Sequence, residues 1–352
     1  MISTVLHPVM GFVLAYWEQQ LIKLGAILVA IPVGGLLLGY VFLMKMMAHM
    51  QSRLGPMEPG GFHGWFQNIG DAVKFIQKED LIPAQADKWV FSLAPYVVVM
   101  STFLLYLVIP IGPDLVVSDL SVGVFYALAV GSIGVIGVLM AGWSSANKYS
   151  LMGSLRAAGQ LIAYELPLVL AVLGVVIQSG SMSFQGIVRA QQHFKIFGIN
   201  LAGMPFIITQ FPLFLVFMIA AQAELTQPPF DMPVAESELV TGYMTEYSGF
   251  RFLSFFLGEM GSAFALSGIA ATLFLGGWYL PMPQSWIDNN FANVIGPGIL
   301  LAKVMFVAFL IFWFRFTYPR FREDQLQAIA WKYLIPISLG WIMITAILKV
   351  AF

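Results

Sequence analysis

The sequence contains no cysteine and only four histidines among its 352 residues. Without thiolates the chain cannot hold an iron–sulfur cluster, form a disulfide or perform thiol chemistry, so any redox metal centre it serves belongs to another chain. His7, His49, His63 and His193 all fall at the ends of apolar runs or in loops, which argues against a membrane haem. Zinc spacing, a phosphate-binding loop and nucleophile motifs are missing too. Charge is the second scarcity. Asp, Glu, Lys and Arg make up 10% of the chain, less than half of the about 25% that a soluble domain uses. A water-soluble globule is therefore excluded. The formal net charge of −1 offers no basic field to nucleic acid. Residues 5–16 are too short and too weakly flanked to read as a secretory signal.

What is plentiful is apolar surface, at 59% hydrophobic residues and a mean hydropathy of +0.84. Such surface must face lipid, in runs of about 20 residues whose backbone bonds within itself as a helix. Eight such runs lie near residues 26–47, 90–109, 122–141, 157–177, 205–221, 252–276, 298–313 and 334–350. The expectation is an all-α integral membrane protein, one polytopic domain over residues 1–352. Of the 17 Lys and Arg residues, only Lys23, Arg189, Lys195, Lys303 and Lys349 fall on one side of this plan. The richer side is cytoplasmic, which puts both termini outside.

Two cytoplasmic segments differ from ordinary connectors. In residues 63–78, Trp65, Phe66, Ile69, Ala72, Val73 and Ile76 recur at helical spacing, opposite Gln67, Asp71, Lys74 and Lys78. This stretch is too short to span and reads as an amphipathic helix in the membrane interface, its apolar face in lipid or against neighbouring helices, the plainer reading being a packing helix without function. Residues 224–251 carry Glu224, Asp231, Glu236, Glu238 and Glu246 against Arg251 alone, with Pro228, Pro229 and Pro233 interrupting the exit from the fifth run. They form either a solvated loop or a funnel for protons.

Glu165 lies nine residues beyond Arg156. In a helix starting at Arg156 that places it roughly 13 Å deep, close to mid-membrane. An ionised group there costs on the order of 2.5 to 3.5 kcal/mol, so it must be paired, hydrated or protonated. Pro167 follows and cannot donate a backbone hydrogen bond, which predicts a kink. Glu259 and Lys303 complete the ionisable groups within apolar runs. They act either as helix glue or as a proton relay.

Several blocks then carry a resemblance. They include Gln51-Ser52-Arg53-Leu54-Gly55-Pro56, Asp71-Ala72-Val73-Lys74, Asn147-Lys148-Tyr149-Ser150-Leu151 and Gly153-Ser154-Leu155-Arg156-Ala157-Ala158. They continue with Gln160, Tyr164-Glu165-Leu166-Pro167, Pro229-Phe230-Asp231, Glu236-Ser237-Glu238-Leu239-Val240, Glu246-Tyr247-Ser248-Gly249, Gly258-Glu259 and Arg315-Phe316-Thr317-Tyr318-Pro319-Arg320. In order and placement the chain resembles the quinone-site membrane subunit of respiratory complex I, the H subunit of the bacterial enzyme and its mitochondrial counterpart. The resemblance covers residues from about 26 to 350.

It implies a subunit of a proton-translocating NADH:quinone oxidoreductase in the bacterial inner membrane, with quinone as substrate and no metal or covalently bound cofactor of its own. Its partners would be the other membrane-arm subunits and the iron–sulfur subunits of the peripheral arm. The first span, interfacial helix and sixth span would frame a quinone portal. Carried onto this chain, the acidic path comprises Glu165, Glu224, Asp231, Glu236, Glu238, Glu246 and Glu259. The quinone chamber and arm junction comprise Arg53, Trp65, Phe66, Ile69, Asp71, Val73, Arg156, Arg315 and Arg320. This chain departs from the family pattern at Leu43 and Met44, where charges are usual, at Met57 and Glu58, at Gln227 in place of Arg, and at Val234 in place of Glu. These departures fit a divergent branch. Two other readings of the residues are a stand-alone proton-coupled transporter, for which paired broken helices in internal repeats are the expected sign, and a membrane anchor of a hydrogenase-like complex.

Overall fold

An apolar chain must satisfy its backbone within its own segments, and helices dominate the structure. A computed structural model describes residues 18, 21, 24–25, 28–29, 33–113, 115–192, 195–196, 199–200, 204–279 and 289–351. Residues 5–16, Ala26, Lys23, His7 and His193 lie outside the described residues, as does the side chain of Glu236.

Among the described residues, seven helices are long and apolar enough to cross a membrane. They are α1 (Val33–Met50), α3 (Lys88–Leu105), α4 (Gly123–Ser144), α5 (Lys148–Ser179), α9 (Gly249–Phe274), α10 (Asn289–Thr317) and α11 (Glu323–Ala351). Between them lie the amphipathic α2 (Gln67–Gln77), the short α6 (Phe184–Gln192), α7 (Phe211–Glu224) and the single turn α8 (Glu236–Leu239). A two-residue ribbon pairs Lys195–Ile196 with Ile199–Asn200. The chain is thus an all-α integral membrane protein.

Two expectations change. The fifth apolar run covers 205–221, but α7 starts at Phe211 and has 14 residues, roughly 21 Å and short of the hydrocarbon thickness. Pro212 favours a helix start at this point, and residues 206–209 form a turn instead, with Ile207 N donating to Phe274 O at 2.9 Å. The helix carrying Glu165 begins at Lys148, capped by Asn147, not at Arg156. It runs 32 residues to a left-handed Gly180 and stays helical through Pro167, so Glu165 sits near its middle.

Helix α5 is the hub, packing against α4, α7 and α11. Helix α9 packs against α3, α10 and α2. In α9, 67% of the apolar window is buried inside the protein, against 17% in α11; α9 is a core span and α11 a rim. Small residues let the acidic segment sit on α5. Gly242 has φ +56°, and a Cβ there would lie 1.7 Å from Pro233 O. A Cβ on Gly153 would lie 2.8 Å from Tyr243 N. Lysines close two helix ends: Lys349 Nζ donates to Ile177 O and Gln178 O of α5, and Lys303 Nζ to Leu275 O and Gly277 O beyond α9.

Candidate functional site

Helix α9 presents two faces with different chemistry. Leu253, Phe256, Leu257 and Met260, at the i, i+3, i+4, i+7 spacing of one stripe, line an apolar groove shared with α1 and α2. Phe255, Gly258, Glu259, Ser262, Leu266 and Ile269 line an inner cavity. One helix is the wall between them.

The inner cavity gathers Glu165 from α5, Glu224 from the end of α7 and Glu259 from α9. Glu165 and Glu224 are close enough for their charges to interact. Glu224 Oε2 is buried and has no hydrogen-bond partner among the described residues. Glu259 Oε1 accepts from Gln227 Nε2 at 3.1 Å and lies 3.6 Å from Arg315 Nη1. Tyr243 lines the same cavity, and Thr102 Oγ1 and Ser262 Oγ are hydrogen-bonded beside it at 3.0 Å. Lys303 does not join this group. Its contacts lie beyond the far end of α9, about 24 Å along the axis from Glu259 at 1.5 Å per residue.

The segment between α7 and α9 separates its acids. Asp231 is partly buried, which pushes its carboxyl up to about 6; the Glu259 charge adds to that rise, while Arg315 and Arg320 oppose it. Glu238 is at the surface, its side chain 48% exposed, and its two oxygens are held by Arg156 Nη1 at 2.7 Å and Arg320 Nη2 at 2.8 Å. The hydrogen bond from Arg156 is the main cause of its lowered proton affinity. Glu246 accepts from Asn147 Nδ2 at 2.6 Å and lines a separate surface pocket with Lys148. Of the acids assigned to one path, therefore, three share a cavity, Asp231 is an electrostatic neighbour of Glu259, Glu238 lies at the surface and Glu246 is half-buried at a separate pocket. Glu236 belongs to α8.

The groove on the other face runs between α1, α2 and α9. Its α2 wall includes Asn68, Asp71, Ala72, Phe75 and Ile76. Phe75 stacks on Phe252 with ring centroids 5.5 Å apart. Asn68 Nδ2 pins α2 to α1 by donating to Leu36 O at 2.7 Å. Ile69 and Val73 turn the other way and are 47% and 45% exposed. Trp65 stacks on Tyr40 at 4.7 Å, and the Tyr40 hydroxyl donates to His63 O. Lys45 Nζ donates to Leu54 O at 3.4 Å and Pro56 O at 2.5 Å, and lies 5.7 Å from the Tyr40 ring, so it ties the loop after α1 back onto that helix. Leu43 and Met44 line the groove. Arg53 and Phe66 are exposed, and Arg53 Nε donates to Gln51 Oε1 at 2.8 Å.

Sequence reasoning assigns no role to three glutamines that shape the acid cavity's loop. Gln160 Nε2 donates to Ala223 O and Phe230 O, both at 2.7 Å. Gln222 Nε2 donates to Pro228 O at 2.7 Å, and Gln227 to Glu259. In the sequence Gln160 stands out only as part of the resemblance and Gln227 only as a departure from the family's Arg, while Gln222 gives no signal beyond an amide two residues from Glu224.

Residues 22–346 match the family model described as NADH dehydrogenase. The NADH-quinone oxidoreductase H subunit of Geobacillus kaustophilus is 42% identical over 331 residues, 94% of each chain. The protein of the same name from Bacillus mycoides is 44% identical over 310 residues, 88% of this chain and 87% of its own, and that from Bacillus cytotoxicus is 42% identical over 340 residues, 96% and 97%. Together with the helical membrane architecture, these matches show that the chain belongs to the NADH dehydrogenase family, as a complex I membrane subunit.

Proposed function

We propose that this subunit forms the quinone chamber of a proton-translocating quinone oxidoreductase and couples quinone reduction to proton movement through its buried acids. The observation that carries the reading is the double use of α9: an apolar groove on one face, a cavity with Glu165, Glu224 and Glu259 on the other. A long isoprenoid tail needs a greasy slot reachable from the bilayer, and the groove between α1, α2 and α9 has that character. Reduction of a quinone takes up protons and changes charge nearby. Carboxylates behind the same helix are placed to respond, since intramembrane acids are expensive to keep without function.

The surface cluster of Arg156, Glu238, Arg320 and Glu323 suits a docking face for the iron–sulfur subunits. It lies on the cytoplasmic side in this reading, with both termini on the other. The test uses the intact complex in sealed vesicles. Leu257→Trp in the groove should raise the KM for quinone, whereas Glu259→Gln should lower turnover and proton translocation together. If Glu259→Gln leaves both rates at wild-type values, the coupling role is wrong.

A further inference from the structure

Glu259 is flanked by two groups of opposite hydrogen-bonding character, each with an atom left over. Gln227 is wholly buried. Its Nε2 donates to Glu259 Oε1 at 3.1 Å, and its Oε1 is buried without a hydrogen-bond partner among the described residues. Arg315 Nη1 comes within 3.6 Å of the same Glu259 oxygen, too long for a hydrogen bond. It too is buried and has no hydrogen-bond partner among the described residues. Buried polar atoms are almost always satisfied by protein or by ordered water. Here a spare acceptor and a spare donor stand beside one carboxylate that lines a cavity. A buried water needs two to four polar partners and room, and this arrangement supplies three partners.

We propose that Arg315, Gln227 and Glu259 form a binding site for one water molecule, and that this water is the immediate proton donor and acceptor of Glu259. The inference rests on the coupling role proposed above. Arg315 Nη1 donates to the water oxygen, and the water donates one hydrogen to Gln227 Oε1 and the other to Glu259. In the transfer, the O–H bond facing Glu259 breaks on the water and a new one forms on the carboxylate. The water regains its proton from a second carboxylic acid, a part for which Asp231, the electrostatic neighbour of Glu259, is suited. Gln227 acts as a positioning residue. It cannot titrate, but it offers the acceptor that fixes the water, which a side chain with donors only cannot do.

The experiment uses the intact complex in its native lipids. A map that resolves ordered water should show density about 2.6 to 3.2 Å from both Gln227 Oε1 and Arg315 Nη1. Gln227→Met keeps the length of the side chain and removes the amide. Its chain should co-isolate with the partner subunits, lack that density, and show quinone turnover and proton translocation lowered together by about tenfold. The ratio of rates in H2O and D2O should rise about twofold, a change that loss of packing alone does not produce. The proposal is overturned if the map shows Gln227 Oε1 and Arg315 Nη1 bonded directly to protein groups, or if Gln227→Met keeps the wild-type proton rate and isotope ratio. Glu259→Gln, measured in parallel, separates the two levels. If it is impaired while Gln227→Met is not, only the water site fails; if both behave as wild type, the coupling role fails with it.

Discussion

Asn147 joins the start of α5 to the acidic segment with both ends of its amide. Its Oδ1 accepts from Tyr149 N at 2.9 Å as the helix cap, and its Nδ2 donates to Glu246 Oε1 at 2.6 Å. Asn147→Ala removes both, at about 1 kcal/mol for the cap alone. Asn147→Asp keeps the cap but sets a second carboxylate against Glu246. The Asp variant should therefore lower the melting temperature of the purified complex at pH 7 at least as much as the Ala variant. An Asp variant as stable as wild type would show that the Glu246 contact contributes nothing.

Glu165 lies midway along α5 and lines the acid cavity. Glu165→Gln keeps shape and most hydrogen bonding but removes titration. Assembly should be normal, while quinone turnover and proton translocation fall together by about tenfold. Glu165→Asp should retain part of both. Proton pumping at the wild-type rate and ratio in Glu165→Gln would make the residue structural.

The orientation of α2 distinguishes its groove face from its exposed face. Ala72 lines the groove, whereas Ile69 is 47% exposed on the other side. Ala72→Trp should raise the KM for a long-chain quinone about tenfold, equivalent to ~1.4 kcal/mol of lost binding. Ile69→Trp should stay within about twofold of wild type. Steady-state kinetics with long- and short-tailed quinones measures both, and equal effects would mean that the groove is not the route.

Two acids of the segment between α7 and α9 contribute to stability with opposite pH dependence. Asp231 has its carboxyl raised to about 6 from 3.8, so the folded chain binds more protons than the unfolded one between those values. Stability falls as pH rises through that window. Asp231→Asn should be more stable than wild type at pH 8, with the advantage vanishing near pH 4. Glu238 has its proton affinity lowered, chiefly by the Arg156 hydrogen bond. Its stabilisation is present above the ordinary carboxylate range and is lost as pH falls through its lowered value. Glu238→Gln should thus be the less stable protein at pH 8 and approach wild type in acid. Thermal melting of the complex across pH 4 to 8 checks both signs.

The membrane class was legible in the sequence because lipid leaves little choice: a long apolar run with few charges has to be a helix. The acids were legible because a carboxylate inside such a run is costly. The boundaries were less so. Asn147 moved the start of α5 eight residues ahead of Arg156, since a side-chain cap and a folded loop above the membrane extend a helix that hydropathy would cut at the apolar edge.

Which acids stand together was decided only by the tertiary structure. Glu224, Glu238 and Glu246 look alike in sequence, yet Glu224 enters a cavity with Glu165 and Glu259, Glu238 is clamped by two arginines, and Glu246 is tied to Asn147. Hydropathy places the helices in the bilayer but does not set their rotation about their own axes. That rotation comes from packing against neighbours, with Gly153 and Gly242 admitting the loop onto α5 and Asn68 pinning α2 to α1. Sequence alone therefore determined that this chain is a helical membrane protein with buried acids. Packing between helices distant in sequence turned one face of α9 to a groove and the other to those acids.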